Sequence, residues 1–179
     1  MRYLVFAGLL AALTAGGALT AVSLPFLSPV PFTLQVLAVF LTAGLLPPRY
    51  AMLSQAVYLL VGALGVPVFA GGQHGLGVLV GPFAGYLWAY PVAAGLGSVV
   101  AHRRRRGALA GGLIVALLIV YAGGFLGLMV GAGMSPLKAF LAGVLPFIGW
   151  DAIKGVIAYP IITQLTALVG EPHRLGRAA

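Results

Sequence analysis

Only two carboxylates occur in this chain, Asp151 and Glu171, and charged residues make up 7% of its 179 positions. A soluble domain carries roughly 25%. With 61% of its residues hydrophobic, the chain lacks the polar groups to wrap a core of this size in a solvated surface. Its side chains must face hydrocarbon instead. The expected class is an all-α integral membrane protein, with residues 1–179 forming one membrane domain. A transmembrane barrel would show segments of about ten residues that alternate apolar and polar, and the sequence has no such alternation. The 27 glycines and 12 prolines suit packed and broken membrane helices.

The net charge of +8 does not point to nucleic acid. Four of the basic residues form the tetrad Arg103 to Arg106, and most others stand at the ends of apolar runs. That pattern sets membrane topology. The absence of cysteine excludes disulfides and thiolate metal sites. The start, MRYLVFAGLLAALTAGGALTA, has the basic, apolar and small-residue order of a signal peptide. The expectation is nevertheless that it stays as the first span.

A hydrocarbon core of about 30 Å takes roughly 20 helical residues. Prolines, glycines and arginines cut the chain into spans at about 3–24, 34–46, 50–64, 82–101, 108–133 and 146–169. The first and second are separated by PFLSPVPFT, residues 25–33, whose three prolines forbid a regular helix. Residues 65–85 are glycine-rich with little helix expected, and residues 134–145 read as a loop holding Pro136 and Lys138. With six spans, Arg2, Arg49, the tetrad, Arg174 and Arg177 share one side, and Lys138 alone lies in a loop on the other. The positive-inside rule makes the arginine side, and both termini, cytoplasmic. The irregular loops between spans one and two and between spans three and four then face outward. Non-helical backbone at membrane depth survives where it is buried in protein or lines a cavity, so these loops are expected to cap an outward pocket.

Asp151 and Lys154 stand near the outer end of the last span, in VLPFIGWDAIKGVIAYP. Their spacing of three puts them on one helix face. Two unassisted charges would cost about 5–7 kcal/mol at a helix centre. Either they form an internal ion pair, or they hold a polar ligand, which is the default reading of intramembrane ionisable residues. Gly71 and Gly72 allow close backbone approach; Gln73 and His74 are the polar members of the same loop. His74 has no second ligand at metal-binding spacing. No metal or cofactor is expected. Small residues recur at a spacing of four on the first span, as Ala7, Ala11 and Ala15 beside a second row of Gly8, Ala12 and Gly16. Gly123, Gly127 and Gly131 do the same on the fifth. Such rows let helices approach closely. On the fifth span the expected role is packing within the chain; on the first, a docking face for another subunit reads equally well. Aromatics such as Phe69, Tyr86 and Phe147 cluster toward the outer end, as an interfacial belt or as pocket walls.

Three runs in order, PVPFTLQVLAVFLTAGLL, LLVGALGVPVFAGGQHGLGVLVGPFAGYL and LPFIGWDAIKGVIA, resemble the BioY family over about residues 29–158. These are the biotin-specific substrate-binding (S) components of energy-coupling factor transporters. The resemblance implies six helices, cytoplasmic termini, an external biotin site, and location in the bacterial cell membrane. Its implied partners are a transmembrane coupling subunit and two ATP-binding-cassette ATPases. Asp151 is implied as an acceptor for a ureido N–H. Lys154 would meet the tail carboxylate or the ureido oxygen. Thr33, Gln35, Gln73 and Tyr86 are further polar contacts, with Gly71 and Gly72 lending room and backbone groups. Ala7, Ala11 and Ala15 resemble the docking motif toward the coupling subunit. This chain departs from some members in Gln73-His74, in GPFAG, and in having no arginine on the fourth span before the tetrad. No Walker motif is present, so the chain cannot itself hydrolyse ATP. The alternatives are an S component for a different vitamin, a small channel, a membrane enzyme and a structural subunit. A channel would need polar lining through the full depth, and the inner half is nearly all apolar.

Overall fold

The computed structural model describes residues 1–169; Glu171, Arg174 and Arg177 lie outside them. Seven helices follow one another: α1 (Arg2–Leu19), α2 (Gln35–Leu45), α3 (Pro48–Ala63), α4 (Ala84–Ala101), α5 (Ala108–Gly131), α6 (Pro136–Gly143) and α7 (Ile148–Val169). Among the described residues the only bridge of extended backbone joins Val22 and Phe32. Four stretches are long and apolar enough to cross a bilayer: Arg2–Leu19, Ala84–Ala101, Ala108–Gly131 and Pro136–Leu168. With α2 and α3 they form the six-helix bundle that the apolar runs lead one to expect. The segment read as a loop around Pro136 is instead the helix α6, with Pro136 in its first turn. Proline is tolerated there because that N–H has no partner within the helix.

The 11 residues of α2 extend about 16 Å at 1.5 Å per residue, roughly half the hydrocarbon thickness. The rest of its column is taken by irregular chain. α1 stops at Leu19 rather than running to the prolines. Thr20 Oγ1 donates to Gly17 O at 2.7 Å, and Leu34 N donates to Gly17 O at 3.1 Å. A Cβ on Gly17 would lie 2.9 Å from the Leu34 carbonyl carbon, so glycine is what admits this approach. Val22 and Phe32 exchange backbone bonds of 2.8 and 2.9 Å, and Ser28 Oγ donates to Ala142 O of α6 at 2.7 Å. The loop is thus a tied hairpin and not a free linker.

The α4–α5 pair packs through glycine. A Cβ on Gly123 would lie 2.6 Å from both Gly85 O and Ala89 Cβ, and one on Gly127 would lie 2.8 Å from Gly85 Cα. Gly97 and Gly112 meet near the other end of the same seam. The row Gly123, Gly127, Gly131 therefore packs inside the chain, the last member against Pro82. Buried polar side chains tie the remaining helices. Gln55 Nε2 on α3 donates to Thr14 on α1 at 3.0 Å and to Thr42 on α2 at 3.1 Å, and Ser54 Oγ donates to Ala7 O at 2.8 Å. Such bonds hold helices together where burial from lipid offers no drive.

The row of α1 expected as a docking motif faces the chain's own core. Ala7 and Ala11 are buried in the chain's own core, and Ala15 is half-buried against it. The neighbouring row, Gly8, Ala12 and Gly16, is exposed, and Cβ atoms on Gly8 and Gly16 would meet nothing within 4 Å. Both rows are small, so spacing alone could not say which one the core would take.

Candidate functional site

One cavity of about 320 Å³ opens where α1 ends, where α2, α4 and α7 begin, and where the loops 20–34 and 64–83 cross. That volume lies at the lower end of ordinary small-ligand sites. The shortness of α2 makes the room: Gln35, its first residue, lines the cavity. The long loop is pinned from both sides. Phe69 is 1% exposed, stands edge-on to Tyr58 with centroids 5.6 Å apart, and packs over Gly62. Trp88 Nε1 donates to Leu79 O at 2.8 Å. Gly71 and Gly72 turn the chain at φ of 70° and 76°, a region where side chains other than glycine are strained. The loop is a packed cap containing two short 3₁₀ turns, Ala70–Gly72 and Leu76–Val80.

Asp151 and Lys154 lie one turn apart on α7 and are 2% and 3% exposed. Lys154 Nζ donates to Asp151 Oδ1 at 2.5 Å, and Tyr121 Oη on α5 donates to Oδ2 at 2.9 Å. Both pair members reach the cavity. The two charges cancel, yet neither group is used up. An ammonium has three N–H donors, and a carboxylate about four acceptor positions. The pair therefore presents donors and acceptors side by side, deep in the protein.

The other polar groups are more committed. Gln35 Nε2 donates to Tyr58 Oη at 2.7 Å, and Gln35 Oε1 accepts from Thr33 Oγ1 at 3.1 Å. Tyr86 Oη donates to Gly143 O at 2.6 Å, so toward a ligand Tyr86 can only accept. The walls are apolar: Val36, Phe69, Leu87 and Tyr90, with Phe147 stacked on Phe32 at 4.5 Å between centroids.

The structure brings Asp151, Lys154, Thr33, Gln35, Gly71, Gln73 and Tyr86 to this one cavity; Gly72 and His74 do not line it. Gln73 is exposed where it lines the cavity, and His74 is exposed outside the lining, its Nδ1 3.5 Å from Gly72 O. Sequence reasoning missed Tyr121. Its signal was a lone hydroxyl in a 24-residue apolar helix, where a buried polar group must find a partner. Among the described residues, no three His, Cys, Asp or Glu side chains gather as a metal site would require.

Comparison with known proteins fits this geometry. A crystal structure of the S component for biotin from an energy-coupling factor transporter superposes with a TM-score of 0.82, covering 93% of this chain and 91% of that one at 24% identity, which shows a shared fold. The biotin transporter BioY of Thermotoga maritima is 42% identical over 170 residues, 94% of this chain and 98% of the relative. The probable biotin transporter BioY of Pyrococcus horikoshii is 41% identical over 160 residues, 88% and 91% of the two chains. The family model described as BioY matches residues 1–171: this chain belongs to the BioY family.

Proposed function

We propose that the chain binds biotin as the S component of an energy-coupling factor transporter and hands it to a membrane partner for uptake. One observation carries the reading: a neutral, buried Asp151–Lys154 pair at the floor of a cavity with apolar walls. A ureido ring offers N–H and C=O groups side by side. One N–H fits a free lone pair of Asp151, and the carbonyl fits a remaining N–H of Lys154. The apolar bicycle then lies against Phe69, Tyr90 and Phe147. With the pair engaged by the ring, the tail carboxylate points to the mouth, where Gln73 is exposed and its amide can donate. Thr33, Gln35 and Tyr86 bound the ring from the side, and Gly71 and Gly72 keep the cap close.

The arginine end, with Arg49 and Arg103 to Arg106, faces the cytoplasm of a bacterial cell, as do the termini, and the cavity opens outward. The chain binds and does not transform its ligand; ATP hydrolysis belongs to two ATPase subunits joined through a coupling subunit. The exposed row Gly8, Ala12 and Gly16 supports docking to that subunit better than Ala7, Ala11 and Ala15 do.

Calorimetric titration of the purified chain in detergent tests the reading, with thiamine and riboflavin as controls. Tight one-to-one binding of biotin alone is expected. No heat with biotin, in folded protein free of carried-over ligand, would overturn the assignment; heat with another vitamin would replace it.

A further inference from the structure

We propose that the seam between α5 and α7 holds one anionic phospholipid, its phosphate between Arg103 and Arg104 and an acyl chain running toward Asp151. Two hollows beyond the ligand cavity share this seam. The first, about 420 Å³, lies at the arginine end and is lined by His102, Arg103, Arg104, Leu109, Ile162 and Thr166, among others. The second, about 500 Å³, is walled by Leu113, Ile114 and Leu117 of α5 and by Val156 and Tyr159 of α7, and it ends at Asp151. Leu109 of the first adjoins Ala110 of the second, and Ile162 stands less than one turn from Tyr159, so the two lie end to end along α7. From Asp151 to Thr166 the two together follow α7 for about 22 Å at 1.5 Å per residue, somewhat more than the roughly 15 Å depth of one leaflet. α7 packs mainly on α2 and little on α5, which leaves the seam open on its hydrocarbon side; Val156 is 73% exposed there.

The head of the groove selects the ligand's charge. Asp151 is the only carboxylate among the described residues, and Lys154 already pairs with it. Among the described residues no carboxylate pairs with Arg103 or Arg104, so both guanidinium groups are available to an anion. Thr163 and Thr166 donate to Pro160 O and Ile162 O of their own helix, so donors toward an anion come from the arginines, whose forks match phosphate oxygens. Basic pockets between membrane helices take anionic headgroups in this way. A free phosphate would fill the head alone; the apolar groove continuing from it is what selects a lipid. Because Asp151 lines both this groove and the ligand cavity, the bound chain would also close the back wall of the site.

Native mass spectrometry of the full chain in mild detergent tests this. Palmitoyl-oleoyl phosphatidylglycerol and palmitoyl-oleoyl phosphatidylcholine serve as probes. One phosphatidylglycerol should be retained, preferred by about thirtyfold, as expected of two arginines at an anionic surface. The double variant R103A/R104A, altered in an exposed turn, should lose the preference. Ile114→Trp, which fills the groove, should weaken retention of both lipids while circular dichroism shows the helices intact. Soluble glycerol phosphate should not compete. Equal retention of the two lipids, or a preference surviving in R103A/R104A, would overturn the proposal. Displacement by glycerol phosphate would reduce it to a free-anion pocket. Unchanged lipid retention in R103A/R104A with lost co-purification of partner subunits would make the pocket a protein-docking surface instead.

Discussion

Removing one member of the Asp151–Lys154 pair should harm the fold more than removing both. The Lys154 Nζ to Asp151 Oδ1 distance is 2.5 Å. At an effective dielectric constant of 20, that separation corresponds to about 7 kcal/mol of attraction. Most of it offsets the desolvation of two ions that are 2% and 3% exposed. Lys154→Met leaves the carboxylate buried with the Tyr121 hydroxyl as its one remaining partner. The expected cost is about 3–5 kcal/mol, the usual result of breaking a buried pair from one side. Asp151→Asn strands the ammonium and should cost a similar amount. The double variant D151N/K154M strands neither charge and should be more stable than either single variant. Equilibrium unfolding in mixed micelles of mild detergent and dodecyl sulfate gives the four free energies, and the double-mutant cycle gives the coupling. If the double variant loses the sum of the two single losses, the charges do not depend on each other and the reasoning fails. Biotin titration of the same proteins separates stability from function: binding should be lost in all three variants, including the restabilised one.

Tyr121→Phe removes the 2.9 Å bond to Asp151 Oδ2 without altering a cavity wall. Hydrogen bonds to charged groups contribute about 1.5–3 kcal/mol, so biotin affinity should fall by about ten- to a hundredfold in calorimetry; unchanged affinity would mean that α7 orients Asp151 unaided. Gly123→Val drives side-chain atoms onto Gly85 O and Ala89 Cβ, each 2.6 Å from the first added atom, and should lower unfolding free energy by at least about 1–3 kcal/mol. A stable variant would disprove the close α4–α5 approach. A Cβ on Gly8 meets nothing within 4 Å; in Gly8→Leu stability and biotin binding should be unchanged, while co-purification of the coupling subunit should drop if the exposed row is the docking face.

Much of this fold is legible because membrane helices announce themselves by length and apolar content. The spans at 82–101 and 108–133 lie within two residues of α4 and α5 at each end. Local signals failed where distant chain decided the outcome. Nothing in residues 20–24 stops a helix, yet α1 ends at Leu19 because Val22 pairs with Phe32 and Gly17 with Leu34. α6 was legible in principle, since proline after serine at 135–136 opens helices as readily as it breaks them. Asp151 and Lys154 could be found because charge in hydrocarbon is costly, and that cost shows in one dimension. The choice between Ala7-Ala11 and Gly8-Ala12 could not, because two adjacent rows of equally small residues carry no difference in polarity.

The half-length α2 has a consequence for leakage. It lets the site sink toward the bilayer midplane, so the barrier left to a ligand is only the lower part of the bundle. That part is tightly packed. Val39, Phe40 and Ala43 of α2 are at most 1% exposed, and Gln55 Nε2 bridges Thr14 and Thr42, whose own hydroxyls donate to Leu10 O and Ala38 O. A hydrated path would have to break these contacts together. Under the proposed function, this packed part separates the bound ligand from the far side of the bundle. Delivery to the other side then requires the site itself to change orientation, or the helices to part, and not the opening of a narrow gate.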